Sequence, residues 1–98
     1  MPKYVIKRSF SIREDQMPEV GRRSRQIIEQ QLPEITWHHS HITVDEDGNV
    51  KSFCIYDAPD EAAIYQHSQL LGSHVVDEIF EIAGDVTPED FPLTEQPV

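Results

Sequence analysis

The stretch that decides the fold is residues 35–57, which read ITWHHSHITVDEDGNVKSFCIYD. Two runs rich in β-branched and aromatic residues, 35–44 and 50–57, flank an acidic segment. That segment contains Asp47-Gly48, a dipeptide that favours tight turns between antiparallel strands. The pattern therefore predicts a β-hairpin whose first strand carries three histidines.

The register of this hairpin decides which side chains share a face. A two-residue turn at Asp47-Gly48 would place two largely apolar pairs on one face: Ile42 with Phe53 and Ser40 with Ile55. The other face would pair His41 with Cys54 and His39 with Tyr56, and alternation adds Trp37 to it. His38 would point the opposite way. The prediction is thus one apolar face and one face rich in metal-ligand types.

The flanking sequence supplies the remaining elements of a small α+β domain. We predict a strand at 4–10, a helix at 15–32, a helix at 61–71 after an Asp60 N-cap, and a strand at 75–86. The order βαββαβ is that of the ferredoxin-like fold, which has a four-stranded antiparallel sheet with two helices on one face.

Composition restricts the classes of function. The 98 residues predict one domain, at 1–86, followed by an acidic, proline-containing tail at 87–98. With 18 acidic and 8 basic residues the net charge is -10, so we expect neither nucleic acid nor a membrane as a partner. A single cysteine excludes an intrachain disulfide. The first residues lack the apolar run of a signal peptide, and we expect a cytoplasmic protein.

The sheet face that the helices leave bare carries aromatic side chains in the predicted register. Large aromatic patches are rarely left in water. We therefore expect a homodimer of the dimeric α/β-barrel type, with Trp37 and Tyr56 near or inside the interface.

Several stretches resemble one family of small bacterial ferredoxin-like proteins, which includes a nickel-binding, nickel-responsive member and is otherwise catalogued as a domain of unknown function. The resemblance covers residues 2–82. The matching pieces are PKYVI at 2–6, WHHS at 37–40, CIYDAPDE at 54–61, His67 and Gly72.

The family pattern reads Trp, any residue, His, Ser and then usually Tyr. Its histidine falls on His39, and a second family histidine falls on His67. This chain departs from the pattern with His41 at the usual tyrosine, Gln66 before His67, and Ser73-His74 where the family has Phe-Pro. The resemblance implies a ferredoxin-like dimer that binds nickel, and it implies no catalytic reaction.

The candidate metal ligands are His39, His41, Cys54 and His67. Imidazole with one thiolate suits nickel, zinc or copper. His67 lies in an apolar helical stripe, where a histidine more often packs than ligates. Since His67 belongs to the helix layer, it could share an ion with His39 only near a sheet edge or across subunits.

Three functions stay open at this point. The first is a small soluble protein that binds nickel or another divalent transition metal through the histidine-rich second strand of a homodimer. The second is a dimeric α/β-barrel enzyme that holds a small organic substrate between sheet and helices, with a histidine as acid or base. The third is a non-catalytic assembly module. The chain has no serine elbow, phosphate-binding glycine loop or HExxH pattern that would name a reaction.

Overall fold

The computed structural model describes residues 1–93, and the last part of the predicted tail, 94–98, lies outside them. Four strands and two helices follow in the predicted order, which confirms the ferredoxin-like α+β fold. The elements are β1 (Lys3–Phe10), α1 (Met17–Gln31), β2 (Thr36–Val44), β3 (Val50–Asp57), α2 (Glu61–Leu71) and β4 (His74–Glu81). Short 3-10 turns occur at Glu14–Gln16 and Pro88–Asp90. Among residues 1–93, no helix is both long and apolar enough to cross a membrane.

The sheet is antiparallel throughout, in the order β2-β3-β1-β4. Alternate residues of the two central strands are buried under the helices. From β1 these are Tyr4, Ile6 and Arg8, and from β3 they are Val50, Ser52, Cys54 and Tyr56. The helix side of the sheet therefore holds the core, and the opposite side is an open face.

Local sequence signals account for where the helices begin and end. Pro18 lies in the first turn of α1, where its missing N–H costs nothing. The Asp60 carboxylate accepts a hydrogen bond of 3.0 Å from the backbone N–H of Ala63 and caps α2. Gly72 ends α2 with a φ of 73°, a conformation that favours glycine.

The predicted register of the β2–β3 hairpin is wrong by one residue. The last pair is Val44 with Val50, so the connection is the whole loop 45–49 rather than a two-residue turn. The Asp45 carboxylate stabilises this longer loop by accepting hydrogen bonds of 2.9 Å from the backbone N–H groups of Asp47 and Asn49. The Asn49 hydrogen bonds also lower the pKa of the Asp45 carboxyl group.

This shift changes what each histidine of β2 faces. Ser40 pairs with Cys54, His41 with Phe53 and His39 with Ile55. Cys54 and Tyr56 lie under the helices and Cys54 is opposite Ser40, so the predicted face that joined them to His39 and His41 does not form.

A β-bulge at His38 separates Trp37 from the other histidines. Trp37 pairs with Tyr56 and His39 pairs with Ile55, so the extra residue of β2 has no partner opposite. Trp37 and Ser40 therefore share the helix side, where Trp37 Nε1 donates a hydrogen bond of 2.9 Å to Ser40 Oγ. The prediction that Trp37 and Tyr56 occupy the bare sheet face is wrong, because both pack into the core.

Strand β4 ends at Glu81, earlier than the predicted end at Val86. In the described sheet β4 pairs with β1 alone, and β1 begins at Lys3. The Ile82 N–H still donates to the Lys3 carbonyl at 2.7 Å, and beyond it β1 offers no further ladder partner.

Candidate functional site

His39 and His41 form a pair on the open face of the sheet. Their ring centroids are 5.2 Å apart and their planes meet at 79°. Both residues are exposed, and they lie on an edge strand opposite Ile55 and Phe53. The prediction that these two histidines share one face is confirmed, since the bulge lies before both of them.

His38 contacts a carboxylate instead of the helix layer. Its Nε2 lies 2.9 Å from Asp57 Oδ2. Asp57 follows the buried Tyr56 and alternates with it, so its side chain belongs with the open face. The bulge thus places His38 on the open face together with His39. The expected orientation of His38 toward the helices is wrong.

Cys54 is separated from the histidine pair by the sheet itself. Its side chain lies on the helix side and is only 5% exposed. Its thiol donates a hydrogen bond of 3.4 Å to Ser52 Oγ. The structure therefore does not bring Cys54 together with His39 and His41 within one chain.

His67 lies in the core with both ring nitrogens engaged. It is 0% exposed, and its Nε2 lies 2.9 Å from Ser24 Oγ. Its Nδ1 lies 3.4 Å from an Arg8 guanidinium nitrogen. Because arginine can only donate, Nδ1 accepts and Nε2 carries the proton that is donated to Ser24. Burial, reinforced by the charge of Arg8, lowers the pKa of His67 to about 3.

His74 is a half-buried histidine, close to the end of α2. Its ring lies against Phe10, with centroids 5.0 Å apart, and its Nδ1 donates a hydrogen bond of 2.7 Å to the Gly72 carbonyl. Burial lowers the pKa of His74 as well. His67 and His74 thus lie on the helix side, whereas the histidines of β2 are exposed.

Arg8 is the functional candidate that sequence reasoning missed. The residue is 1% exposed, and its guanidinium carbon lies 5.2 Å from the centroid of the Tyr56 ring. It donates a hydrogen bond of 3.3 Å to Ser68 Oγ, while its buried Nε finds no acceptor among residues 1–93. The sequence does carry a signal, because Arg8 interrupts the apolar alternation of Tyr4, Ile6 and Phe10.

A cavity of about 370 Å³ lies between α1 and the helix side of the sheet. Its walls are mainly apolar and include Met17, Val20, Leu71, Trp37, Ile42 and Tyr56. Polar side chains in the wall are few, namely Arg8, Ser24, Ser40, Ser52 and the thiol of Cys54. This volume falls in the range of small-molecule sites.

The open face also carries apolar side chains next to the histidine pair. Phe80 of β4 is 52% exposed, and it lies beside Val5 of β1. Phe53 and Ile55 of β3 are half-buried. A Lys7–Glu78 contact of 3.8 Å adds a polar pair to the same face.

One antiparallel sheet, helices on one side and a histidine pair on the other define a small ferredoxin-like protein with an exposed candidate metal face. A family model described as "Nickel responsive protein SCO4226-like" matches residues 4–82. The chain belongs to this family, and the family resemblance noted in its sequence is confirmed. No curated protein and no solved structure matches the chain.

A complete metal centre is not assembled within the part of the chain that the structure describes. In residues 1–93, no group of three or more His, Cys, Asp or Glu side chains has an arrangement that could hold a metal ion. The predicted ligands instead form an exposed pair, His39 and His41, and two separate buried residues, Cys54 and His67. A metal held by the pair would need additional ligands from outside this set.

Proposed function

We propose that this protein binds nickel, or another divalent transition metal, as a homodimer, with His39 and His41 as its ligands and the remaining positions filled by a second copy or by water. The observation that carries the proposal is the exposed pair of imidazoles in a chain of a nickel-responsive family. Imidazole nitrogen suits nickel, zinc and copper.

The pair fits one part of a metal site and not the whole of it. Two imidazoles with centroids 5.2 Å apart can turn toward one ion, since both side chains are exposed. Residues 1–93 bring no third ligand to the pair, so a second copy or water would have to complete the site. The net charge of -10 also favours the approach of a cation.

The open face supports the dimer part of the proposal. The side of the sheet opposite the helices has a partly apolar surface, formed by Phe53, Ile55, Val75 and Phe80. Surfaces of this kind usually become interfaces. The segment after β4 adds exposed Val86 and Phe91, which would also be covered by a second copy that lies across the face.

Replacing His39 with alanine should lower nickel affinity at least tenfold, which corresponds to about 1.4 kcal/mol. The His41→Ala change should have a similar effect, because the two rings face each other on one surface. Titration calorimetry on protein without an affinity tag measures both. His38→Ala is the matched control, since it removes a neighbouring imidazole that is already engaged with Asp57.

Two further variants separate the open face from the helix side. Cys54→Ser and His67→Gln should leave nickel affinity within about twofold, because both residues lie beneath the helices. If nickel binding persists in the His39→Ala/His41→Ala double variant and disappears in His67→Gln, the site lies on the helix side and the proposal is wrong.

Phe80→Asp should convert the dimer to a monomer by placing a charge on the apolar open face. Light scattering of the wild type should give twice the 11.3 kDa chain mass, and the variant should give the chain mass. Glu78→Asp is a conservative control on the same strand and should stay dimeric. A wild-type monomer at tens of micromolar would contradict the dimer, and full nickel affinity in monomeric Phe80→Asp would show that a second copy contributes no ligand.

A further inference from the structure

We infer that the cavity between α1 and the sheet binds a small organic monocarboxylate with an apolar body, for which Arg8 is the counter-ion. This site lies on the opposite side of the sheet from His39 and His41 and does not depend on the proposed metal function.

Arg8 is a fully buried cation that has no anionic partner among residues 1–93. Its contacts are with neutral groups, namely His67, Ser68 and the ring of Tyr56. None of the ion pairs among residues 1–93 includes Arg8. A buried charge is costly unless it is paired. The chain has 18 acidic residues, and none of those described reaches this position.

The guanidinium also has hydrogen-bonding capacity left over. Its Nε is buried and no described residue accepts a hydrogen bond from it, although Arg8 is part of the cavity wall. Guanidinium groups recognise carboxylates through two parallel donors. A carboxylate in the cavity would supply both the missing charge and the missing acceptor.

The polar groups beside Arg8 do not neutralise the charge of its guanidinium. His67 is held neutral between Arg8 and Ser24, with its pKa lowered to about 3. Within the part of the chain that the structure describes, the cavity wall contains no aspartate or glutamate. The charged side chain that these residues present to the cavity is therefore the positive one of Arg8.

The remaining wall determines the rest of the ligand. Trp37, Ile42, Tyr56 and Leu71 surround the space with aromatic and aliphatic surface. An inorganic anion would leave these walls uncovered, and a neutral hydrocarbon would leave Arg8 unpaired. A monocarboxylate with an aliphatic or aromatic body satisfies both at once.

Octanoate is the probe that tests this inference, with octanol as the neutral molecule of the same length. Trp37, the only tryptophan, lines the cavity and reports binding by its fluorescence. In the full-length chain with chelator present, we expect octanoate to bind at least tenfold more tightly than octanol. Acetate, which has the charge without the apolar body, should bind at least tenfold more weakly than octanoate.

Arg8→Met should abolish the preference for octanoate over octanol, because it keeps the apolar stem and removes the charge. Lys7→Met is the matched control, since it removes the same charge one residue away on the open face, and it should bind octanoate as the wild type does. Circular dichroism establishes that each variant is folded.

A second variant tests the cavity without changing Arg8. Gly21 lines the cavity, and a Cβ added there meets no atom within 4 Å. Gly21→Leu should fill part of the space and weaken octanoate and octanol together at least tenfold.

Equal affinity for octanoate and octanol in the wild type, unchanged octanoate binding in Arg8→Met, or no octanoate binding at millimolar concentration would each overturn the inference. Octanoate binding that survives in the His39→Ala/His41→Ala variant would show that this site stands even where the metal proposal fails.

Discussion

Tyr56→Ala is expected to lower the free energy of unfolding by about 3–5 kcal/mol, the usual cost of deleting a buried aromatic ring. Tyr56 is 1% exposed and lies where strand, helix and cavity meet. Its ring centroid is 6.2 Å from that of Trp37 and 5.5 Å from that of His67. The truncation would enlarge an existing cavity, which leaves little prospect of collapse around the missing ring. Urea unfolding at one fixed protein concentration measures the difference.

Tyr65→Ala is the matched control for this change. Tyr65 lies on α2 and is 48% exposed, so its truncation should cost less than about 1 kcal/mol. Equal costs at the two positions would mean that Tyr56 is not in the core. The placement of the alternate β3 residues beneath the helices, Tyr56 among them, would then be wrong.

Acidification should destabilise the wild type through His67, and His67→Gln should remove that part of the loss. The folded protein takes up a proton at His67 only near pH 3, while an unfolded histidine does so near pH 6.5. Protons therefore favour the unfolded chain between these values. The stability that neutral His67 contributes is complete above pH 6.5 and falls by about 1.4 kcal/mol per pH unit below it.

At pH 5 the expected loss from His67 is about 2 kcal/mol relative to neutral pH. Glutamine retains one donor for Ser24 and one acceptor for Arg8, which makes it the least disruptive replacement. Urea unfolding of both proteins at pH 7 and pH 5 gives the comparison. Leu70→Ala, on the same helix and at an exposed position, removes no titratable group and should keep the wild-type pH dependence. An identical loss in wild type and His67→Gln would show that His67 is protonated as readily in the folded as in the unfolded chain.

The element order could be predicted from sequence because each boundary has a local cause. Alternation in β1 and β3, the Asp60 cap and the glycine at position 72 act over a few residues, so they are visible without the fold. The hairpin register could not be settled in the same way. The segment 45–49 suits a two-residue turn as well as a longer loop, and the choice depends on how the Asp45 carboxylate binds nearby backbone amides.

The candidate site was predicted in part for the same reason. His39 and His41 are two residues apart on one side of the bulge, so simple alternation places them together. Whether Cys54 shares a face with the histidines depends on the register between β2 and β3. A register error of one residue places its side chain on the opposite face of the sheet from theirs. The burial of Arg8 could not be predicted from the sequence, because an arginine near a strand end is usually solvated. It results from the packing of α1 and α2 over β1.

The bulge at His38 also determines which changes of sequence this strand tolerates. It adds one residue between Trp37, which faces the core, and the histidines that face away from it. Deletion of that residue would place Trp37 directly before His39, and plain alternation would then still leave Trp37 in the core and the two histidines on the open face. What the deletion would remove is the imidazole that contacts Asp57. We therefore expect a chain that lacks this residue to keep both faces with a regular ladder, so that the bulge accommodates an extra residue and is not itself a requirement of the fold.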